Sequence, residues 1–155
     1  MSALTCVVDR PELASLRLEG GDVLRYLHAV CSQHTLELAP GDATEALLLS
    51  PKGKIEFAFR LAVLDGGVLL DTEAATAPAL AERLARFVFR YDVTVGRPMP
   101  GAASLLGEGA AAALAAAGLP VPGPGRAGVA GHDLVVHRTR LGFDLVGPGA
   151  PAAMA

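Results

Sequence analysis

From Lys54 the chain alternates without a break: Ile55, Phe57, Phe59 and Leu61 fall on one side, and Lys54, Glu56, Ala58 and Arg60 on the other. That two-residue period is the mark of a half-buried strand, with the apolar set as its core face. The preceding ATEALLLS reads as a second strand. Between them, Ser50-Pro51-Lys52-Gly53 has a proline that presets φ at the second turn position and a glycine suited to the fourth, which predicts a type I turn and a hairpin. Elsewhere the period changes. In DVLRYLHAVCS, Val23, Leu24, Leu27, Val30 and Cys31 share one face of a three-turn helix that Asp22 caps or starts at its positive dipole end.

Shorter strands are predicted over Thr5–Val8 and Ser15–Leu18, the second with Leu16 and Leu18 inward and Arg17 outward. Asp65-Gly66-Gly67 turns the chain into VLLDTE. Thr76 and Pro78 open a helix lined by Leu80, Leu84, Phe87 and Val88, and DVTV, residues 92–95, follows as a strand. Strands in hairpins interleaved with two returning helices predict an α+β domain with a mostly antiparallel sheet over residues 1–98. Residues 99–155 then supply a breaker-rich hinge, an Ala-rich helix, a Pro/Gly loop and a closing hairpin of DLVVHRTR and GFDLVG. This reads as an incomplete second α+β unit, too small for an independent core.

The chain has 155 residues and is 52% hydrophobic, but only 5% aromatic and without tryptophan, so the expected core is aliphatic. A net charge of −3 offers no basic field for a phosphate backbone, which argues against nucleic acid as a partner. There is no signal-peptide pattern and no apolar run of membrane-spanning length, so the expectation is a soluble, cytoplasmic protein with no membrane partner. Cys6 and Cys31 lack metal-ligand spacing and are read as reduced packing residues.

No chemical motif is complete. Gly20-Gly21-Asp22 lacks the GK[ST] ending of a phosphate loop, and GPGRAG, residues 123–128, is read as linker. His28, Cys31 and His34 offer too few ligands for a metal and no orienting third group for a nucleophile. Asp65, Asp71 and Glu73 are read as solvated around a turn, and His132 and His137 as surface residues. The polar face of the hairpin differs, because Lys54, Glu56 and Arg60 bracket an alanine, Ala58. That gap leaves room on an otherwise charged face.

VVDR, the block LRLEGGDVLRYLHAVCSQHTLELAPGDATEALLLSPKGKIEFAFRL and the helix end ARFVFRYDVTV together resemble the first domain of YgfZ-type folate-binding proteins, relatives of the glycine cleavage T protein (aminomethyltransferase). The resemblance runs from Val7 to Val95, and is sharpest at Gly20–Leu27, Leu38–Gly41 and LLLSPKGK; GFDLVGP, residues 142–148, is a fainter match to the second domain. It implies an α+β fold of several domains around a funnel that holds tetrahydrofolate. It also implies either one-carbon transfer or, for YgfZ-type members, a folate-dependent link to assembly or repair of iron–sulfur proteins.

Three departures from the family pattern bear on this. The paired aspartates on the strand after the hairpin turn correspond to Phe57 and Ala58 here; the K-G-C-Y-x-G-Q-E segment is absent after GFDLVG; and no helical segment precedes VVDR. A funnel built by one and a half domains is expected to be shallow unless another chain completes it. The resulting expectation is a non-catalytic tetrahydrofolate-binding module of the YgfZ type, with iron–sulfur proteins or a funnel-completing chain as partners. Its expected folate contacts are Glu56, Ala58 and Arg60, the last pairing with a carboxylate of the glutamyl tail. The alternatives are a folate-dependent aminomethyltransferase using Glu56 as its acid, and a truncated homologue serving only as an interaction module.

Overall fold

The structure, a computed structural model, describes residues 3–154. Its first sheet grows from the predicted hairpin. Strands β2 (Leu13–Glu19), β3 (Ala43–Leu49), β4 (Ile55–Leu64), β5 (Gly67–Glu73) and β6 (Thr94–Val95) pair antiparallel in the order β3-β4-β5-β2-β6, and β7 (Met99–Pro100) also pairs with β2. The turn between β3 and β4 closes as expected, with Gly53 N donating to Ser50 O at 2.9 Å. Helices α1 (Val23–Val30) and α2 (Ala77–Ala85) cover one face of this sheet. Leu27, Leu80 and Leu84 from the helices pack there on Leu16, Leu18, Leu48, Phe59, Leu61 and Leu70. Each fully buried side chain of this kind contributes about 1.5–3 kcal/mol by leaving water.

The second sheet has the order β1-β8-β11-β10-β9, built from β1 (Cys6–Asp9), β8 (Ala102–Leu106), β9 (Ala127–Ala130), β10 (Leu134–Arg138) and β11 (Gly142–Val146), all antiparallel. Helices α3 (Ala110–Ala116) and α4 (Ala150–Ala153) cover its outer face around Leu105, Leu114, Val136, Phe143 and Leu145. The two sheets meet on their inner faces, where Ala62, Leu64 and Leu69 contact Ala127 and Val135. The layers therefore run helices, sheet, sheet, helices. This is an α+β fold with antiparallel sheets.

Several local expectations are corrected. The first strand does not join the first sheet: β1 pairs with β8, with Val8 opposite Ser104. Recruiting β1 gives the later residues five strands and an apolar cluster of their own, where the sequence suggested too little for a core. Asp22 does not cap α1 with its side chain; its Oδ2 accepts from Asp92 N at 2.9 Å, while Asp92 Oδ2 accepts from Gly21 N at 2.9 Å, a reciprocal clasp between two loops. Ile55, expected on the core face, is 63% exposed at the hairpin end of β4, beside the register shift between Leu48 and Leu49. Phe87 also leaves the helix face, since α2 ends at Ala85 and a single 3-10 turn, Val88–Arg90, follows.

Candidate functional site

Strand β4 is paired on both sides for only part of its length. Its ladder with β5 runs from Leu64 opposite Gly67 to Arg60 opposite Asp71. Beyond that point β4 stays with β3 down to Ile55, while β5 stays with β2 to Leu13 opposite Glu73. The strands part, and a cleft of about 510 Å³ opens between them on the inner face. One backbone group freed by the split is satisfied locally: Thr72 Oγ1 donates to the Ala58 carbonyl at 2.8 Å.

The cleft brings together all three residues singled out from the alternation, Glu56, Ala58 and Arg60. Ala58 leaves the wall low, as its size dictates. Glu56 is exposed, with about a third of its side chain in solvent, and pairs with Arg83 of α2 at 3.2 Å. Glu73 and Glu45 line the same cleft, with no hydrogen-bonded or ion-paired partner for either carboxylate among the described residues.

Arg60 is not a free cation awaiting a ligand carboxylate. Its Nε and Nη2 donate to Asp71 Oδ2 at 2.8 and 2.7 Å, and its Nη1 donates to Asp144 Oδ2 at 2.7 Å. Asp144 also accepts from Ser104 Oγ at 2.6 Å, and that hydroxyl in turn accepts from Arg10 Nη1 at 2.8 Å. Burial works against the Arg60 charge, but the two carboxylates outweigh it and raise the affinity of the guanidinium for its proton above the ordinary value. The network ties β4 and β5 of one sheet to β8 and β11 of the other.

Two of its members correct the sequence reading. Asp71, expected to be solvated, is 3% exposed, and His137, expected on the surface, is 5% exposed. His137 Nε2 stands 3.2 Å from Asp71 Oδ1, and among the described residues neither atom has a further partner. Burial by itself pushes the Asp71 carboxyl up; His137 and Arg60 together overcome it and hold the group below the usual carboxylate range. Strand pairing explains the placement. Arg60 lies opposite Asp71, and Asp71 opposite Ser15, in one sheet, while His137, Asp144 and Ser104 form the corresponding row in the other. The signal available in the sequence was a charged or titratable residue following directly on apolar strand residues, Asp71 after VLL, His137 after LVV and Asp144 inside GFDLV.

The His28, Cys31 and His34 group forms no reactive centre. The two imidazoles meet edge to face at 4.6 Å, and burial pushes the Cys31 thiol up, away from the thiolate that a nucleophile or ligand requires.

No protein-family model matches the chain, and no curated protein matches it. Among solved structures, the glycine cleavage system aminomethyltransferase T from Bartonella henselae superposes with a TM-score of 0.84. The likeness is one of fold. Sequence identity is 22%, and the match covers 95% of this chain and 43% of that one, so the chain spans less than half of that protein's length. The aminomethyltransferase-type fold expected from the sequence blocks is present. Among the described residues no helix is long and apolar enough to cross a membrane.

Proposed function

We propose that the chain binds tetrahydrofolate in the cleft between β4 and β5 without transforming it, as the resemblance to YgfZ-type proteins implies. The observation that carries this reading is the convergence of Glu56, Ala58 and Arg60 on one cleft of about 510 Å³, a volume in the range of small-molecule sites. The residues fit the ligand. The pterin ring presents several N–H donors, and the cleft offers acceptor carboxylates, of which Glu73 and Glu45 have none of their capacity used among the described residues. Ala58 supplies space, and Arg60, fixed by Asp71 and Asp144, shapes the wall. Tetrahydrofolate carries one-carbon units where a reaction follows; here the protein's part is to hold and orient the ring.

The connection with iron–sulfur protein maintenance, and with iron–sulfur proteins or a funnel-completing chain as partners, rests on the YgfZ resemblance. A second reading, folate-dependent aminomethyl transfer, is favoured by the structural similarity to an aminomethyltransferase T. It needs an acid beside the ligand. Glu56, the acid this reading names, is committed to Arg83, and Ala58 stands where the family pattern has an aspartate; Glu45 and Glu73 remain as carboxylates of the cleft, so this reading stays second.

Anaerobic calorimetric titration with tetrahydrofolate tests the proposal. Micromolar binding, about −8 kcal/mol, that weakens at least tenfold in Ala58→Leu supports it. Position 58 is exposed, so the leucine fills the cleft and not the core. Absence of binding up to millimolar ligand ends the reading. Formation of methylene-tetrahydrofolate from an aminomethyl donor would promote the second reading.

A further inference from the structure

The charges around the first cleft do not balance. Its lining holds five carboxylate residues against two arginines, and both arginines are already engaged. Arg60 is shared by Asp71 and Asp144. Arg10 pairs with Glu12, donates from Nη1 to Ser104 Oγ at 2.8 Å, and stands 3.8 Å from Asp144. Arg83 of α2 is likewise taken, paired with Glu56 and lying over the Phe87 ring at 4.5 Å. What remains is Glu45 on β3 and Glu73 at the end of β5, on the two sides of the strand split, both exposed and without a cation partner among the described residues. A second cleft, of about 700 Å³, shares only Glu45 and Arg60 with the first, so its Arg126, Arg138 and Arg140 do not line the first.

A folate has two parts of unlike charge, a reduced pterin head with N–H donors and no net charge, and a glutamyl tail of carboxylates. Guanidinium groups are the natural partners of carboxylates, and the first cleft has none to spare. On the reading that a reduced pterin occupies this cleft, we infer that the cleft selects by charge. It holds the uncharged head and repels the tail, so reduced pterins without glutamates bind in preference to polyglutamylated ones, and Glu45 and Glu73 set that preference. Two unpaired carboxylates flanking the split give a field of one sign, which low-dielectric walls concentrate and which reaches an anion within about 8 Å at physiological ionic strength. A like charge met without a compensating partner is the repulsive element that specificity requires.

The test is anaerobic calorimetric titration with three probes, tetrahydrobiopterin, which carries no glutamate, tetrahydrofolate, and the pentaglutamate of tetrahydrofolate. It is run at low and high salt on the native chain, on Glu45→Gln/Glu73→Gln, and on Glu37→Gln/Glu108→Gln. The last variant removes the same charge outside the cleft, and all four positions are exposed, so the fold is kept and circular dichroism checks it. The expected result at low salt is an affinity that falls along the series, with the pentaglutamate about tenfold weaker than the glutamate-free pterin, and a ratio that narrows in high salt. The cleft variant should bring that ratio close to unity, and the control should leave it unchanged. Affinity that rises or stays level with glutamate number, a ratio unchanged in the cleft variant, or an equal change in the control would overturn the inference. Binding of the glutamate-free pterin alone ends the folate reading and keeps the selection by charge, whereas binding of none of the three ends both.

Discussion

Replacing Arg60 by methionine keeps an unbranched stem of similar reach but removes the cation shared by Asp71 and Asp144. Three hydrogen bonds of 2.7–2.8 Å to two nearly buried carboxylates are lost together. A buried charge pair broken from one side costs about 3–5 kcal/mol, because the surviving charges stay desolvated. Here two carboxylates survive, with Arg10 at 3.8 Å and the Ser104 hydroxyl at 2.6 Å from Asp144, and His137 at 3.2 Å from Asp71, to compensate. For a chain of this size the loss corresponds to a fall in Tm of about 6–20 °C. Urea unfolding followed by circular dichroism measures it directly. The triple variant Arg60→Met/Asp71→Asn/Asp144→Asn should recover most of the loss, since removing a whole ionic network is often near neutral. A single-variant cost below about 1 kcal/mol, or a triple variant no more stable than the single, would refute the argument that this network joins the sheets.

Other outcomes follow from individual groups. The Asp71 carboxyl is held below its ordinary value of 3.8 in the folded chain, so its stabilisation is complete above that value and is lost as pH falls through the lower folded value; the urea midpoint should drop steeply below about pH 4, and Asp71→Asn should flatten that slope. Tyr26 is fully buried, donates its hydroxyl to the Leu84 carbonyl, and is pushed by burial up to about 12; ultraviolet titration should show one of the two tyrosines ionising near that value, and Tyr26→Phe should cost about 1–3 kcal/mol by orphaning the Leu84 carbonyl. Gly20 has φ +130°, and a Cβ there would lie 2.0 Å from the Asp92 carbonyl oxygen; Gly20→Ala should lower stability by more than about 1 kcal/mol and spread the amide signals of the Asp22–Asp92 clasp, whereas Gly53→Ala, with open space around it, should cost less.

What could be read from the sequence was what periodicity carries. The alternation from Ile55 to Leu61 and the turn at Ser50–Gly53 place β3 and β4, and the three-to-four spacing of Val23, Leu24 and Leu27 places α1. The same alternation placed Glu56, Ala58 and Arg60 on one face, where the structure finds them around one cleft. Long-range pairing was not legible. Nothing local marks Cys6–Asp9 as a partner of Ala103–Leu106, almost a hundred residues later, so β1 was assigned to the neighbouring strand's sheet. Asp71 and His137 sit toward the polar ends of their strands and read as solvated; their burial depends on a second sheet closing over them, which a reading of each strand by itself does not contain.

The polar layer also explains why the clefts are where they are. Apolar contact joins the sheets at Ala62, Leu64 and Leu69, but two residues further along β4 the inner face carries Arg60 and then Ala58. At Arg60 the facing sheet answers with Asp144, Ser104 and His137, so the layers stay in contact through ion pairs instead of side-chain packing. At Ala58 nothing comparable reaches across, and β4 has already parted from β5. Arg60 is therefore the last tie before the first cleft and lines the second. A substitution there alters stability and the shape of both clefts together, so ligand affinity measured on an Arg60 variant does not by itself report a contact with Arg60. Ala58 lies outside the ion-pair network, which makes it a position at which binding can be separated from folding.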